Sequence, residues 1–296
     1  MERDWRKYNN QLVKRGEILI NPKAFGFEEK HEQEKKRGRP FTYPEFLIRM
    51  LLFIKFALRL PYRQMEGLAK GLFSSLGVKI PNFRTLHYRF SKMDISLESF
   101  PDPEELPDDF VIILDSTGIK VTNRGEWLRK KHGKRSRKGW IKLHVAFDLK
   151  RKKVIELEVT DESVHDSRNA KRLVERVKNK AKGKRISKVI ADGGYDSHEF
   201  FKYLGKEGIG AVVLVRKGAK IRGNAVRDAV VRVIRRGKRK WKRSVGYGRR
   251  WLVESFFSVF KRWFGEYVSS LRFENMKKEI VFKVGIVNMF LMNGML

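Results

Sequence analysis

The order of short apolar segments after residue 109 constrains the fold of this chain more than any other feature. Five runs have the length of β-strands and occupy residues 110–114, 141–147, 154–159, 186–191 and 209–215. The first three follow one another closely, as in an antiparallel meander, whereas amphipathic helical patterns around residues 166–181 and 196–205 separate the later ones. A last helical pattern begins near Gly248. This order predicts an α/β domain with a mixed sheet and flanking helices.

Three strands followed by helix, strand, helix, strand and helix is the order of a ribonuclease-H-like fold. In that fold the first and fourth strands lie side by side and parallel. Their carboxyl-terminal ends therefore meet at one edge of the sheet, which is where open α/β sheets usually bind ligands. The residues that follow these two strands are the first candidates for a functional site.

The chain before residue 100 is predicted to be helical. Apolar residues recur at helical spacing over residues 43–60, and Pro61 can open a second helix that runs to about Leu72. A third helix is predicted over residues 82–93 and carries Arg84 and Arg89. This rhythm predicts an all-α, helix-turn-helix-like N-terminal domain whose later helix enters a DNA groove, with a plain helical bundle as the alternative.

An acidic, proline-rich stretch at residues 101–109 separates the two patterns, and neither helices nor strands accommodate it well. We interpret it as a linker. The predicted domains are therefore a helical DNA-binding region at 1–100, the linker at 101–109 and a catalytic domain at 110–296. A basic arm at residues 35–40 is either a DNA contact or a solvated tail.

Charge points to a polyanionic partner. The chain has 67 Lys and Arg against 34 Asp and Glu, a net charge of +33, which would repel itself without such a partner. Basic runs with neighbouring tryptophans, at 129–138 and 232–243, indicate phosphate contacts, with Lys138 as one candidate, or else solvated loops. Cysteine is absent, and no apolar run approaches the roughly 20 residues of a membrane span, so we expect a cytoplasmic, nucleoid-associated protein without a membrane partner.

Two aspartates follow the first and fourth strands. Asp115 comes directly after the run 110–114 and closes that predicted strand, and Asp192 comes directly after the run 186–191. Taken singly, each is a turn-forming Asp. Because the two strands are expected to be parallel neighbours, their carboxylates would approach each other and repel unless a cation neutralised them. A metal site is the simplest explanation of the pair.

A third acid lies on the helix predicted to begin near Gly248. Tyr247, Arg250, Glu254 and Lys261 are spaced three, four and seven residues apart and fall on one stripe of that helix. Its opposite face is apolar, so the stripe is expected to face outward. The alternative is a solvated face with a simple ion pair between Arg250 and Glu254.

Three carboxylates arranged in this way suit two divalent ions. Oxygen ligands select Mg²⁺, with Mn²⁺ expected to substitute. One ion would activate the attacking water or 3′-hydroxyl and the other would stabilise the leaving oxygen of a phosphodiester. Arg250 and Lys261 could hold phosphates beside the ions, and Tyr247 could stack or hydrogen-bond nearby.

With these residues the chain resembles the insertion-sequence DDE transposases, particularly the bacterial and archaeal group related to insertion sequence five. In that family the third acid lies in a motif of Tyr, two residues, Arg, three residues, Glu, six residues and Lys, which the four residues of the stripe match at every step. Residues 114–118 and 191–196 resemble the blocks of the first and second Asp. Residues 131–133 and 140–144 resemble the stretch between them.

The resemblance covers roughly residue 38 to the end. It implies a ribonuclease-H-like catalytic domain with the triad Asp115, Asp192 and Glu254, and Mg²⁺ as the cofactor. It also implies an N-terminal DNA-binding region, binding to the terminal inverted repeats and to target DNA, and work as a homodimer or higher multimer.

Three other functions compete with this interpretation. A non-catalytic relic or domesticated DNA-binding protein would keep the charge but leave the acids idle. A ribonuclease-H-like nuclease would share the metal chemistry without strand transfer. A basic ribosome-associated protein would leave the placement of the three acids unexplained.

Four further residues are more readily explained by structural roles than by metal binding. His144, inside a strand, and His165 are weaker candidates for metal ligands. The sequence around Asp166 favours a helix N-cap, and Asp196 is expected to cap the helix that follows it.

Overall fold

The fold is described from a computed structural model, in which residues 4–6, 9, 10, 13, 42–100, 102, 104–121 and 139–291 are described. The chain divides into two compact units. Pro103–Leu271 forms one unit, and Met1–Asp102 together with Arg272–Leu296 forms the other. The basic arm at 35–40 and the basic run that includes Lys138 lie outside the described residues.

The unit Pro103–Leu271 contains a six-stranded mixed sheet in its described part. Its strands are β1 Asp109–Val121, β2 Trp140–Asp148, β3 Lys153–Asp161, β4 Arg185–Ala191, β5 Gly210–Val213 and β6 Tyr267–Val268. The strand order is β3-β2-β1-β4-β5, and β6 pairs with the far end of β1. The β1–β2 and β2–β3 pairs are antiparallel, whereas β1–β4 and β4–β5 are parallel. The predicted meander and ribonuclease-H-like order are confirmed.

Helices cover both faces of this sheet, which explains why its strands read as nearly continuous apolar runs. The helices of the unit are α4 Asp166–Lys180, α5 His198–Lys206, α6 Ala225–Ser244 and α7 Trp251–Phe264. On one face, Phe110, Ile112 and Leu114 of β1 share a core with buried residues of α4 and α5. On the other, Phe147 of β2 lies 5.9 Å from Phe256 of α7, measured between ring centroids.

Helix α6 accounts for the second basic run. Residues 232–243 lie within it, so they form a helix rather than a solvated loop. Its backbone departs from helical geometry at Gly237 (φ 175°, ψ 88°). Asn224 is the N-cap of this helix, and its side chain accepts a hydrogen bond from the Arg227 backbone N–H at 3.0 Å.

The other unit is helical throughout its described core. Its helices are α1 Glu45–Ala57, α2 Tyr62–Phe73, α3 Phe83–Lys92 and α8 Phe273–Leu291. Aromatic side chains hold it together: Phe56 lies 5.7 Å from Phe90 and 5.3 Å from Phe282, and Phe53 lies 5.9 Å from Phe290. The three predicted N-terminal helices are confirmed.

The structure groups α8 with the N-terminal helices, whereas its sequence position had placed residues 272–296 in the catalytic domain. Helical periodicity indicates that a helix is buried, but it does not identify the partner. None of the helices within the described ranges has the length and apolarity required to cross a bilayer.

Candidate active site

Asp115 and Asp192 occupy equivalent positions on neighbouring parallel strands. Leu114 and Ala191 are the last residues that pair between β1 and β4. Asp115 and Asp192 are the residues that directly follow them in the sequence. Asp192 leaves the strand and accepts a hydrogen bond from the backbone N–H of Gly194 at 2.8 Å. The register therefore places both acids at the same edge of the sheet, as parallel pairing of the first and fourth strands requires.

Asp115 does not close its strand, in contrast to the sequence prediction. β1 continues to Val121, because β2 remains paired with it as far as Lys120 and β6 pairs with its last two residues. The apolar run ends at residue 114 because the parallel neighbour ends there, not because the strand does. Asp115 thus sits on a rigid strand rather than in a turn, which fixes its backbone more firmly.

Arg250 joins the first and third acids. Its Nη1 donates to Asp115 Oδ2 at 2.7 Å, and its Nη2 donates to Glu254 Oε1. Arg250 ends a short 3₁₀ turn, Tyr247–Arg250, and Glu254 lies in the first turn of α7. The ion pair expected from the i, i+4 spacing is present, and the contact with Asp115 brings the start of α7 to the sheet edge.

Burial and neighbouring charge oppose each other at Asp115, which is only 9% exposed. Burial raises its pKa from 3.8 to about 6, the Arg250 cation and the Ser116 backbone N–H act against that shift, and the charges of Asp192 and Glu254 add to it. Asp115 is therefore mainly ionised at neutral pH. Burial makes the ionised form of Asp115 energetically unfavourable, and an added cation would stabilise it.

The three acids offer the right donors for a hard cation but do not form a closed cluster. Among the described residues, no group of three or more His, Asp or Glu side chains is arranged closely enough to hold a metal ion. The Glu254 side chain is 53% exposed. The donors are all carboxylate oxygens, the type that Mg²⁺ and Mn²⁺ prefer. A cationic group, the Arg250 guanidinium, already lies between two of them.

Tyr247 is not presented outward on the same stripe as Glu254. It precedes α7 in the 3₁₀ turn and is buried, with its ring 5.6 Å from that of Trp241. Burial raises the pKa of its phenol, and the Arg250 cation acts against that shift. The 3.6-residue period does not continue through a 3₁₀ turn, so the predicted stripe begins at Arg250. Lys261 lies two turns further along α7, with its Nζ 3.9 Å from Glu266 Oε1.

The two N-terminal candidates for DNA contacts differ in exposure. Arg84 is exposed on α3, and its guanidinium lies 5.7 Å from the centre of the Phe83 ring. Arg89 is buried, and its Nη1 donates to the backbone carbonyl of Tyr43 at 3.1 Å. Arg89 lies on the buried face of α3 together with Phe90. It therefore stabilises the helical unit in this arrangement.

Both predicted aspartate caps are wrong. His165, not Asp166, is the N-cap of α4 and makes no side-chain cap, while Asp166 is the first helical residue and turns its carboxylate toward the sheet. The N-cap of α5 is Ser197. Asp196 instead forms a buried ion pair with Arg227, with Oδ1 to Nε at 2.7 Å and Oδ2 to Nη2 at 3.0 Å.

A polar group that the sequence did not reveal lies beside the site. Asp166 Oδ1 accepts hydrogen bonds from Ser116 Oγ at 3.0 Å and from Lys142 Nζ at 2.9 Å. His144 is fully buried, its Nε2 lies 3.0 Å from Thr160 Oγ1, and burial lowers its pKa to about 4. The available signal was strand alternation, which places Ser116, Lys142 and His144 on one face once β1 and β2 are paired.

A ribonuclease-H-like sheet defines a class of polynucleotidyl-transfer folds when one aspartate lies on its first strand, where the pairing with the fourth strand ends, and another directly follows that fourth strand. Comparison with known families identifies the member of that class. Two family models, both described as "Transposase DDE domain", match residues 107–289 and 13–124. The first match covers more than half of the chain, so the chain belongs to the DDE transposases, a family of nuclease and strand-transferring enzymes that generally use divalent metals. Membership of the group related to insertion sequence five stays a prediction.

A similar protein is an uncharacterized protein of Aquifex aeolicus (strain VF5). The two are 31% identical over 162 residues, which is 51% of this chain and 48% of the relative. The chain therefore aligns with about half the length of that curated relative.

Proposed function

We propose that this chain is a DNA transposase that binds terminal inverted repeats and carries out divalent-metal-dependent phosphodiester hydrolysis and strand transfer. The observation that supports this most strongly is the β1–β4 register, in which Asp115 and Asp192 follow the last paired residues of two parallel strands. Arg250 links Glu254 to Asp115 at the same edge. Family membership supports the reaction class.

In this proposal Asp115, Asp192 and Glu254 hold two Mg²⁺ ions, for which Mn²⁺ can substitute. The ions, when bound, supply Lewis acidity for the attacking water or 3′-hydroxyl and for the leaving oxygen. Asp115 contributes a carboxylate that is ionised at neutral pH, with a pKa of about 6. Asp192 is oriented by the Gly194 N–H, so one oxygen is fixed and the other is available for a ligand.

Arg250 has two roles in the proposed cycle. Without metal, its guanidinium neutralises Asp115 and Glu254. With the acids occupied by divalent cations, the five donors of Arg250 would be available for a DNA phosphate next to the reacting bond. Tyr247, packed on Trp241 behind Arg250, supports the turn rather than stacking on a base.

The remaining proposed DNA contacts come from exposed basic residues. Arg84 on α3 and Lys261 on α7 are candidates, as is Lys138 outside the described residues. The exposed Arg and Lys side chains of α6 add a basic surface that could track a phosphate backbone; they are Arg232, Arg236, Lys238, Arg239, Lys240 and Arg243.

We further propose that the protein works as a homodimer or higher multimer beside the chromosome. Two ends must be brought together for transposition, and the net charge of +33 favours residence on nucleic acid.

A non-catalytic DNA-binding protein is the second candidate. The observation in its favour is that the described residues contain no group of three acids ready to hold a metal ion. Such a relic would keep the basic surfaces and lose metal-dependent cleavage.

The test is cleavage and joining of labelled DNA that carries the ends flanking this gene, with Mg²⁺, Mn²⁺ or EDTA. A transposase yields metal-dependent nicking and joining at those ends, and Asp115→Asn abolishes both. Tight binding without a metal-dependent product would favour the relic. Metal-dependent cutting without regard to ends would favour a ribonuclease-H-like nuclease.

A further inference from the structure

A cluster of polar side chains lies on the sheet face opposite Asp115. Side chains alternate along β1, so Ser116 points to the other face. Ser116 is paired across the strands with His144, and both point the same way. Asp166, the first residue of α4, meets them from above: its Oδ1 lies 3.0 Å from Ser116 Oγ, 2.9 Å from Lys142 Nζ and 3.5 Å from His144 Nδ1. One carboxylate oxygen thus accepts hydrogen bonds from two side chains on two strands, and the His144 ring lies beside it.

Asp166 is connected to the first aspartate by a single residue. The Ser116 hydroxyl donates to Asp166, and the Ser116 backbone N–H donates to Asp115 Oδ1 at 2.9 Å. Ser116 is therefore bonded on one face to Asp166 and on the other to Asp115. A displacement of Ser116 as a whole would therefore move both the hydroxyl that contacts Asp166 and the N–H that orients the Asp115 carboxylate.

Asp166 also contacts the turn that carries the second aspartate. A Cβ placed on Gly194 would lie 3.1 Å from Asp166 Oδ2 and 3.0 Å from Asp192 Oδ1. Both carboxylates therefore lie close to the space that a side chain at position 194 would occupy. The Gly194 N–H that orients Asp192 belongs to this residue. Absence of a side chain at position 194 is what allows this approach.

Tyr195 lies in the same short turn as Gly194. It is fully buried. Burial raises its pKa well above the ordinary value, the charges of Asp166, Asp115 and Asp192 add to that shift, and nearby Ser116 acts against it. The charges of all three acids therefore act on the Tyr195 phenol.

We propose that Asp166 is a positioning residue of the active site. Through its hydrogen bond with Ser116 and its close approach to Gly194, it holds in place the strand that carries Asp115 and the turn that carries Asp192. The inference rests on the proposed function. Lys142 forms an ion pair with Asp166 and compensates its charge. Asp166 is therefore proposed to position the metal ligands Asp115 and Asp192 and not to bind the ion itself. Partners of this kind commonly change metal affinity about tenfold or more when they are removed.

The test is binding of Mn²⁺ alone to the full-length protein without DNA, measured by titration calorimetry, with the melting temperature recorded for every variant. Ser116→Ala removes the link without changing any charge, and Asp166→Asn removes the anion. The double variant tests whether Ser116 and Asp166 act through the same contact. Asp148→Asn is the matched control, because Asp148 is a buried acid at the other end of β2, paired with Arg151 Nε at 2.9 Å.

Each single variant should weaken Mn²⁺ binding by about tenfold, and the double variant by no more than about tenfold, because both remove the same restraint. Asp148→Asn should lower the melting temperature and bind Mn²⁺ like wild type. Single variants with a lower melting temperature but wild-type Mn²⁺ affinity would overturn the positioning role. It would also be overturned if the loss of Mn²⁺ affinity in the double variant equalled the product of the two single losses.

The two proposals fail in distinguishable ways. If wild type binds Mn²⁺ and Asp115→Asn does not, while Asp166→Asn and Ser116→Ala bind normally, only the positioning role is overturned. If wild type itself binds no Mn²⁺, the proposed function is overturned and the positioning role with it.

Discussion

At the scale of single residues, the site is organised around a cation that the chain supplies itself. Arg250 reaches Asp115, 135 positions earlier, as well as Glu254 on its own helix. The spacing of Arg250 and Glu254 predicted the second contact, because i, i+4 neighbours meet on a helix. The first could not be predicted from spacing, since it depends on how α7 docks against the sheet.

The raised pKa of Asp115 predicts a pH dependence of stability in the metal-free protein. Below about pH 4 the carboxyl is protonated in both states and costs nothing, whereas above about pH 6 the folded state carries a buried charge. Folding stability contributed by this group therefore falls as pH rises through that window, by about 3 kcal/mol for a shift of this size.

Chemical denaturation of wild type and Asp115→Asn at a series of pH values measures this effect. Wild type should lose stability relative to the variant between about pH 4 and pH 6. A stability difference that is constant over that range would contradict the raised pKa.

Arg250 is predicted to contact phosphate when DNA is bound. Arg250→Gln should weaken DNA binding and lower the slope of log affinity against log salt by about one unit. Exposed Lys202→Gln on α5 serves as the control and should leave the slope unchanged. An unchanged slope in the Arg250 variant would mean that its guanidinium stays with the acids in the complex.

At the scale of secondary-structure elements, the turn after β4 is the tightest part of the site. A methyl group added at Gly194 would lie only 3.0 and 3.1 Å from two carboxylate oxygens, those of Asp192 and Asp166. The sequence pattern Asp-Gly-Gly predicted a turn there, but not that α4 approaches it. An Asp in the first turn of a helix is already explained by its favourable interaction with the helix dipole. The sequence therefore contains no indication that the Asp166 side chain contacts the sheet.

Gly194→Ala should therefore disturb the site more than its size suggests. We expect a loss of about 1–2 kcal/mol in unfolding free energy, together with weaker Mn²⁺ binding. Gly248→Ala is the control, because a Cβ at that position meets nothing within 4 Å. Equal stability and Mn²⁺ affinity in the two variants would show that the turn can shift without consequence.

The basic surface of α6 is predicted to bind DNA backbone. Arg239 and Arg243 are exposed, one turn apart, beyond the break at Gly237. Replacing both with Gln should lower the salt slope by about two units without altering Mn²⁺ affinity in the absence of DNA. If the slope stays at its wild-type value, α6 faces away from the DNA.

At the scale of the whole molecule, the order of the apolar runs was sufficient to predict the sheet and its topology. Strand length, helical spacing and the parallel pairing of β1 and β4 all depend on local patterns and general rules of connection. Two features depend on contacts between distant segments and were not predicted. These are β6, which is only two residues long, and the grouping of α8 with the N-terminal helices.

The candidate site divides in the same way. Asp115, Asp192 and Glu254 could be singled out because two of them follow apolar runs and the third lies in a helix motif. Tyr247 and Arg89 could not be placed correctly, because a 3₁₀ turn and a buried carbonyl partner leave no mark on residue spacing.

The central claim is that the aspartate pair at the β1–β4 edge performs metal-dependent chemistry on DNA. The most direct measurement is Mg²⁺-dependent nicking by Asp192→Asn, made beside its affinity for the same DNA and beside the Asp148→Asn control. The account predicts that Asp192→Asn loses nicking while binding DNA nearly as well as wild type, and that the control still cuts. An Asp192→Asn protein that cuts at the wild-type rate in Mg²⁺ would contradict it.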